Sequence, residues 1–394
     1  MNLSDLSFET EQMIAGLRMW VETESPSTDA DAVNKVLDLA TYEMVTLGAS
    51  IERIPGRAGC GDSLRATFKA QQNDLPGVLI CCHVDTVHAI GSIDSMPYRR
   101  EGNKLWGPGV LGMKAGIYLS IEVLKKMFST GWQPKVPVSF LFLADKELGC
   151  PTTRELLEAT AHNKRCVLVP EPATSEGGVC WGRHAIARFN LDYKINASNH
   201  YGSGNYGSGN YGNGEADRMV KPQSTIVEMA RHLIEIDAMD TDNCCFSVSN
   251  FSSMDGIRGM EKCTAEVISE ARTENAVIQS SEKMLAHNSP NPDKGLHVNR
   301  GEVLPLWLPD EEDKALYKNA CAIASQLSLD LPVSVAGGGS LGNITGAAGI
   351  ATLDALGPCG SGLRTSTEHI EIDSLAERGK LIAGLLFSLD ESCG

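Results

Sequence analysis

Three short apolar runs constrain the architecture more tightly than any other feature of the chain. They are Gly77-Val-Leu-Ile-Cys-Cys-His, Pro137-Val-Ser-Phe-Leu-Phe-Leu and Cys166-Val-Leu-Val-Pro. Their length and unbroken apolarity predict strands covered on both faces, and apolar spacing over 116–127 predicts a helix between the first two. Apolar strands alternating with amphipathic helices indicate an α/β sheet.

The rest of the chain fits around that sheet. Ile14, Leu17 and Trp20, then Val33, Val36, Leu37, Leu39 and Ala40, predict a helical lead-in. From Ala185 the texture changes. Ala187, Phe189, Leu191, Tyr193 and Ile195 alternate with Arg188, Asn190, Asp192 and Lys194, the period of a strand with one wet face. A helix over 223–237 is expected to turn Ile226, Met229, Ala230, Leu233 and Ile234 inward. Strands at 244–251 and 263–272 and a helix at 274–286 complete a smaller α+β unit. The turn-rich stretch from His287 is a hinge, and a helix over 374–389 ends the chain. The expected division is 1–182, 183–296 and 297–394, the first and last segments forming one α/β domain. Within the middle segment, Tyr201-Gly-Ser-Gly-Asn, Tyr206-Gly-Ser-Gly-Asn and Tyr211-Gly-Asn-Gly-Glu form a repeat over 201–215. It is too glycine-rich for a helix, so it reads as a flexible insertion or a tyrosine-bearing flap.

Charge narrows the partners. With 34 basic and 50 acidic residues the net charge is −16, which opposes binding to nucleic acid or an anionic membrane. A hydrophobic content of 42% is too high for a disordered chain. No run approaches the ~18–20 apolar residues of a membrane span. The start, Met1-Asn-Leu-Ser-Asp-Leu-Ser, has neither basic patch nor apolar core, so a cytoplasmic protein is expected. The twelve cysteines form no CxxC pair and read as reduced structural thiols.

The chemistry sits past the strands. The first ends in His83-x-Asp85, the second is followed by Asp145 and Glu147, and the third by Glu171. Ligands gather at the carboxyl ends of strands in α/β sheets, so three such ends in succession indicate a metal or polar catalytic site.

The anchors His83-Val-Asp85-Thr-Val, Gly107-Pro-Gly-Val-Leu-Gly-Met-Lys-Ala-Gly116, Asp145-Lys-Glu-Leu-Gly149, Pro170-Glu-Pro172, Gly337-Gly-Gly-Ser340 and Gly362-Leu-Arg-Thr-Ser-Thr-Glu368 follow one another along nearly the whole chain. In this order they resemble the dinuclear zinc aminoacylase and carboxypeptidase family, which includes acetylornithine deacetylase, succinyl-diaminopimelate desuccinylase and bacterial glutamate carboxypeptidase. The resemblance implies a zinc-peptidase-like α/β catalytic domain interrupted by a smaller α+β lid that dimerises. It also implies a metal ligand at His83, an orienting aspartate at Asp85, and carboxylate ligands at Glu147 and Glu171. Arg272 matches an arginine that reaches a substrate carboxylate, Gly339 and Ser340 a substrate-holding turn, and His200 a histidine that supports the oxyanion across the dimer.

Three metal-binding and catalytic positions depart from the family pattern, as do Leu341, where the family has an aspartate, and Gly259-Met-Glu-Lys262, where it has an Asn-x-x-Pro turn. Gly112 stands where it carries an aspartate bridging both metals, Lys146 replaces the general base, and Arg364 replaces a histidine ligand of the second metal. Two cations ~3.5–4 Å apart need a shared anionic bridge. An arginine neither releases a proton nor makes a good ligand. The expectation is a degenerate metal site in which ammonium and guanidinium groups face Glu147 and Glu171, with no metal cofactor or at most one zinc. Three functions stay open. One is a repurposed metal-independent enzyme on a small amino-acid-, N-acyl-amino-acid- or peptide-like molecule, with Lys146, Glu147, Asp85, His200 and Arg364 as catalytic groups. The others are a non-catalytic binding homologue and a residual single-zinc amidohydrolase.

Overall fold

The computed structural model describes Leu3 and residues 6–195, 224–254, 261–292 and 294–391. The chain divides into two compact units, Met1–His184 with Trp307–Gly394, and Ala185–Leu306.

The larger unit is built on a six-stranded sheet. Its order is Ser50–Ile54, Ser63–Phe68, Val138–Leu143, Val78–His83, Cys166–Leu168 and Thr352–Leu353. The first two junctions are antiparallel and the remaining three parallel. Every residue of Val78–His83 and Val138–Leu143 is buried, as their unbroken apolarity requires. The register sets Val78 against both Val138 and Cys166, and His83 against Leu143. Val138–Leu143, Val78–His83 and Cys166–Leu168 therefore finish on one edge of the sheet, and the residues just beyond them converge.

The helix Ala115–Ser129 follows the first of these strands and packs against the terminal helix Ile372–Glu391 and the lead-in helix Thr10–Glu22. Its second residue is Gly116 for a steric reason. A Cβ there would lie 1.9 Å from the carbonyl oxygen of Pro170, so only glycine lets the helix approach the chain beside Glu171. A separate four-stranded sheet contains the antiparallel pair Gly360–Ser361 and His369–Glu371, and Arg364 lies in the turn between them.

The smaller unit is a four-stranded antiparallel sheet in the order Cys244–Met254, Glu261–Ala271, Ala185–Ile195 and Gly295–Leu304. Ala187, Phe189, Leu191 and Tyr193 are buried with Met229 and Ile236 of the helix Thr225–Asp237 and Met284 of the helix Glu274–Ala286. Two expectations change. The second crossing between units falls after Leu306 rather than at 296/297, because Gly295–Leu304 pairs with Ala185–Ile195. In the helix Thr225–Asp237 the inward stripe is Thr225, Met229, Leu233 and Ile236, while Ile226 and Ile234 face water. The two stripes are neighbours on the helix surface, and contact with the sheet selects one of them.

Residues 201–215 and His200 lie outside the described residues. Among the described residues every cysteine is a free thiol, and no helix is long and apolar enough to cross a membrane.

Candidate functional site

His83 closes its strand with its ring wholly buried. Nδ1 lies 3.0 Å from the Asp85 carbonyl oxygen and 3.1 Å from Asp85 Oδ1. Asp85 joins two strand ends: Oδ2 accepts from Ser27 Oγ at 2.6 Å and from the Glu147 amide at 2.9 Å, and Oδ1 from the Lys146 amide at 3.2 Å. Asp85 thus orients both the imidazole and the short turn Lys146–Leu148. Asp145 serves that turn differently. It is buried and accepts from the Thr152 amide and hydroxyl, each at 2.8 Å, and from the Thr153 hydroxyl. It anchors the turn through Thr152 and Thr153.

The side chains that converge are ionic. Lys146 Nζ lies 2.8 Å from Glu171 Oε1 and 3.5 Å from Glu147 Oε1. Arg364 Nη2 lies 2.8 Å from Glu147 Oε2. His83 Nε2 lies 3.4 Å from Glu171 Oε1 and 3.9 Å from Glu147 Oε1, with no hydrogen-bond partner of its own. Only Arg364 keeps substantial contact with water, at 39% of its side chain.

These contacts set the protonation states. Burial opposes the charge on every member, and the partners overcome it. Lys146 and His83 hold Glu171 well below the usual carboxylate range, and Lys146, Arg364 and His83 hold Glu147 down. His83 likewise holds Asp85 down. Burial and Lys146 disfavour a charged imidazole, but Asp85 and Glu171 raise His83 to about 9. Glu147 and Glu171 push Lys146 above its ordinary value against its burial and Arg364. At neutral pH three carboxylates thus face three cations, and the cluster is electrically closed.

Gly112 borders this cluster. Its amide donates to Glu368 Oε1 at 2.8 Å, beside the Leu111 amide at 2.9 Å. Glu368 Oε2 meets His88 Nε2 at 2.6 Å and the Arg364 amide at 3.2 Å. Glu368 therefore ties the Gly107–Gly116 loop to the Arg364 turn. Sequence reasoning assigned no role to Glu368 or His88, since an acid and a histidine in separate loops carry no local sign of pairing.

A cavity of about 320 Å³ opens beside the cluster, with Lys146, Glu171, Arg183, Gly339 and Arg364 among its walls. Arg183 is the third cation of this wall, beside Lys146 and Arg364. Its Nε donates to the buried Asp354 at 2.8 Å and its Nη1 to the Gly337 carbonyl at 3.1 Å. Ser340 is buried, and its hydroxyl accepts from the Gly342 amide at 3.2 Å as the N-cap of the helix Leu341–Ala347. Its hydroxyl thus has a helix-capping task, while Gly339 faces the cavity. Arg272 follows the strand Glu261–Ala271 of the smaller unit and is exposed.

The order of anchors along the chain has a counterpart among known proteins. The profile described as peptidase family M20/M25/M40 matches residues 79–388. This chain belongs to peptidase family M20/M25/M40. Among relatives of the M20 protein, carboxypeptidase G2 of Pseudomonas sp. (strain RS-16) is 24% identical over 390 residues, covering 97% of this chain and 90% of that one. Two solved M20-like folds are similar throughout. A tripeptidase of Staphylococcus aureus subsp. aureus Mu50 has a TM-score of 0.71 at 14% identity, covering 97% of this chain and 99% of that chain. Human carnosine dipeptidase 1 has a TM-score of 0.69 at 13% identity, covering 97% of each.

Proposed function

We propose that this M20 family member takes a small amino-acid-, N-acyl-amino-acid- or peptide-like molecule into the cleft of its larger unit and acts on it without a di-zinc centre. The observation that carries the reading is the Lys146 ammonium, 2.8 Å from Glu171 and 3.5 Å from Glu147. It stands between the two carboxylates that the family resemblance assigns to metal. Two zinc ions do not fit this donor set, because Gly112 supplies no bridging anion and Arg364 already neutralises Glu147.

Within the cavity, the cationic tips of Lys146 and Arg364 favour a carboxylate or a developing oxyanion. His83, protonated at neutral pH, has a proton to donate. The smaller unit is the pairing face of a homodimer. The exposed Val248 and Phe251 of the edge strand Cys244–Met254 support that pairing.

A second reading, a binding protein without turnover, draws support from the same cluster, because each carboxylate is paired and none is poised near neutrality as a base. Thermal-shift screening of N-acyl amino acids and dipeptides, with and without EDTA, tests the shared claim. Stabilisation that survives EDTA is expected. Turnover that Lys146→Ala and Arg364→Ala abolish separates enzyme from binder. Amide hydrolysis that EDTA abolishes overturns both in favour of a residual zinc hydrolase.

A further inference from the structure

The smaller unit carries a second cluster of ligating groups, and it does not depend on how the cleft is read. His232 and Glu235 lie three residues apart on the helix Thr225–Asp237, a spacing that puts both on one face. His287 caps the carboxyl end of the helix Glu274–Ala286. His232 Nδ1 is 3.8 Å from Glu235 Oε2, and His287 Nδ1 is 4.0 Å from the same oxygen. All three ligand atoms fall within 4.8 Å of one another, and among the described residues this is the one such group of three.

We propose that His232, Glu235 and His287 form a site for one divalent cation of the zinc type, with water completing the shell.

Three observations support it. The first is the donor set: two imidazoles and one carboxylate suit zinc, cobalt or nickel, whereas magnesium and calcium want oxygen throughout. The second is an orphaned atom, since His232 Nδ1 is buried without a hydrogen-bond partner while Glu235 and His287 face it. The third is preorganisation. Asn288 exchanges two hydrogen bonds with the backbone of Val298, at 2.7 and 3.1 Å, which fixes the chain next to His287. His232 packs its ring 5.8 Å from that of Tyr193. Tetrahedral donors ~2.0–2.1 Å from zinc lie roughly 3.3–3.5 Å apart. The cluster must therefore tighten slightly, and the side chain of Glu235, 64% exposed, is free to move.

The test is a titration of the chelator-treated full chain with Co²⁺, read by visible absorption, and with Zn²⁺, read by equilibrium dialysis. About one equivalent should bind at this cluster, as Co²⁺ bands of a low-coordinate nitrogen–oxygen site. Affinity should fall at least tenfold in His232→Ala and His287→Ala, and by a smaller factor in the surface change Glu235→Gln. His83→Ala should leave this equivalent in place. Melting of the metal-free variants shows whether they fold, and Glu235→Gln supplies the answer if either histidine variant does not. Absence of binding below ~1 mM, or binding that survives these substitutions, overturns the proposal. So does an equivalent lost only in His83→Ala.

Discussion

Lys146 Nζ and Glu171 Oε1 lie 2.8 Å apart with 3% and 6% of their side chains exposed, so a lysine three residues beyond one parallel strand neutralises a glutamate three residues beyond another. Removing one member of such a pair leaves an unpaired charge away from water. Lys146→Ala is expected to cost about 3–5 kcal/mol in urea unfolding. Lys146→Met combined with Glu171→Gln should cost less than Lys146→Met and Glu171→Gln added together, because neither charge is then stranded. Additive losses in the double-mutant cycle would disprove the coupling.

The pH profile of stability follows from two buried bases of opposite sign. His83 is raised from 6.5 to about 9, so the stability it contributes is full below pH 6.5 and is lost as pH rises to about 9. Lys114 is buried, with Nζ donating to the Thr23 carbonyl at 2.7 Å, and burial lowers it from 10.5 to about 7 despite Glu368 and Glu24. Between about 7 and 10.5 the unfolded chain binds the lysine proton that the folded chain has released, so stability rises with pH there. Between pH 7 and 9 the two slopes, each about 1.4 kcal/mol per pH unit, oppose one another. Stability should be nearly level across that window. His83→Gln should tilt it upward with pH and Lys114→Met downward, as read from urea midpoints at each pH. Parallel profiles in all three proteins would refute both assignments.

Gly116→Ala tests how the helix positions Glu171. The new methyl would meet the backbone oxygen of Pro170 at 1.9 Å, and backbone cannot turn aside as a side chain would. A stability loss of about 1–3 kcal/mol is expected, together with weaker ligand-induced stabilisation because Glu171 is displaced from Lys146. Ala115→Gly, one residue earlier on the same helix, serves as the control. It should lower stability without a comparable effect on the ligand shift.

Restoring the family's metal residues is a gain-of-binding experiment. Gly112 has φ −70°, and a Cβ there would have 3.4 Å to Leu363 Cδ1 and 3.5 Å to Glu368 Oε1, so the backbone admits a side chain at this position. Gly112→Asp, Lys146→Glu and Arg364→His together should bind about two more zinc ions per chain than the parent, as counted by total metal analysis. The single change Lys146→Glu should unfold or destabilise the protein instead, because it packs three glutamates, Asp85 and no metal bridge into one buried space.

Much of this was legible in the chain. The continuous apolarity of 77–82 and 137–143 specified two buried parallel strands, since only a sheet covered on both faces tolerates such runs. The acids and the histidine beyond the strands then had to share an edge. The alternation from Ala187 specified a one-sided sheet for the same reason of periodicity. What a local pattern could not contain was decided by tertiary structure. Helical spacing places Ile226 and Ile234 inward beside Met229, yet contact with the sheet turned Thr225 and Ile236 in and left those two isoleucines in water. Glu368 meets His88 and Gly112 across more than 250 residues of chain, and His287 meets Glu235 across about fifty, distances at which sequence spacing carries no information. Side-chain period along the backbone fixes which face of an element is apolar. Which charges end up within 3 Å depends on how separate elements pack, and that is set by the close fit of the whole core.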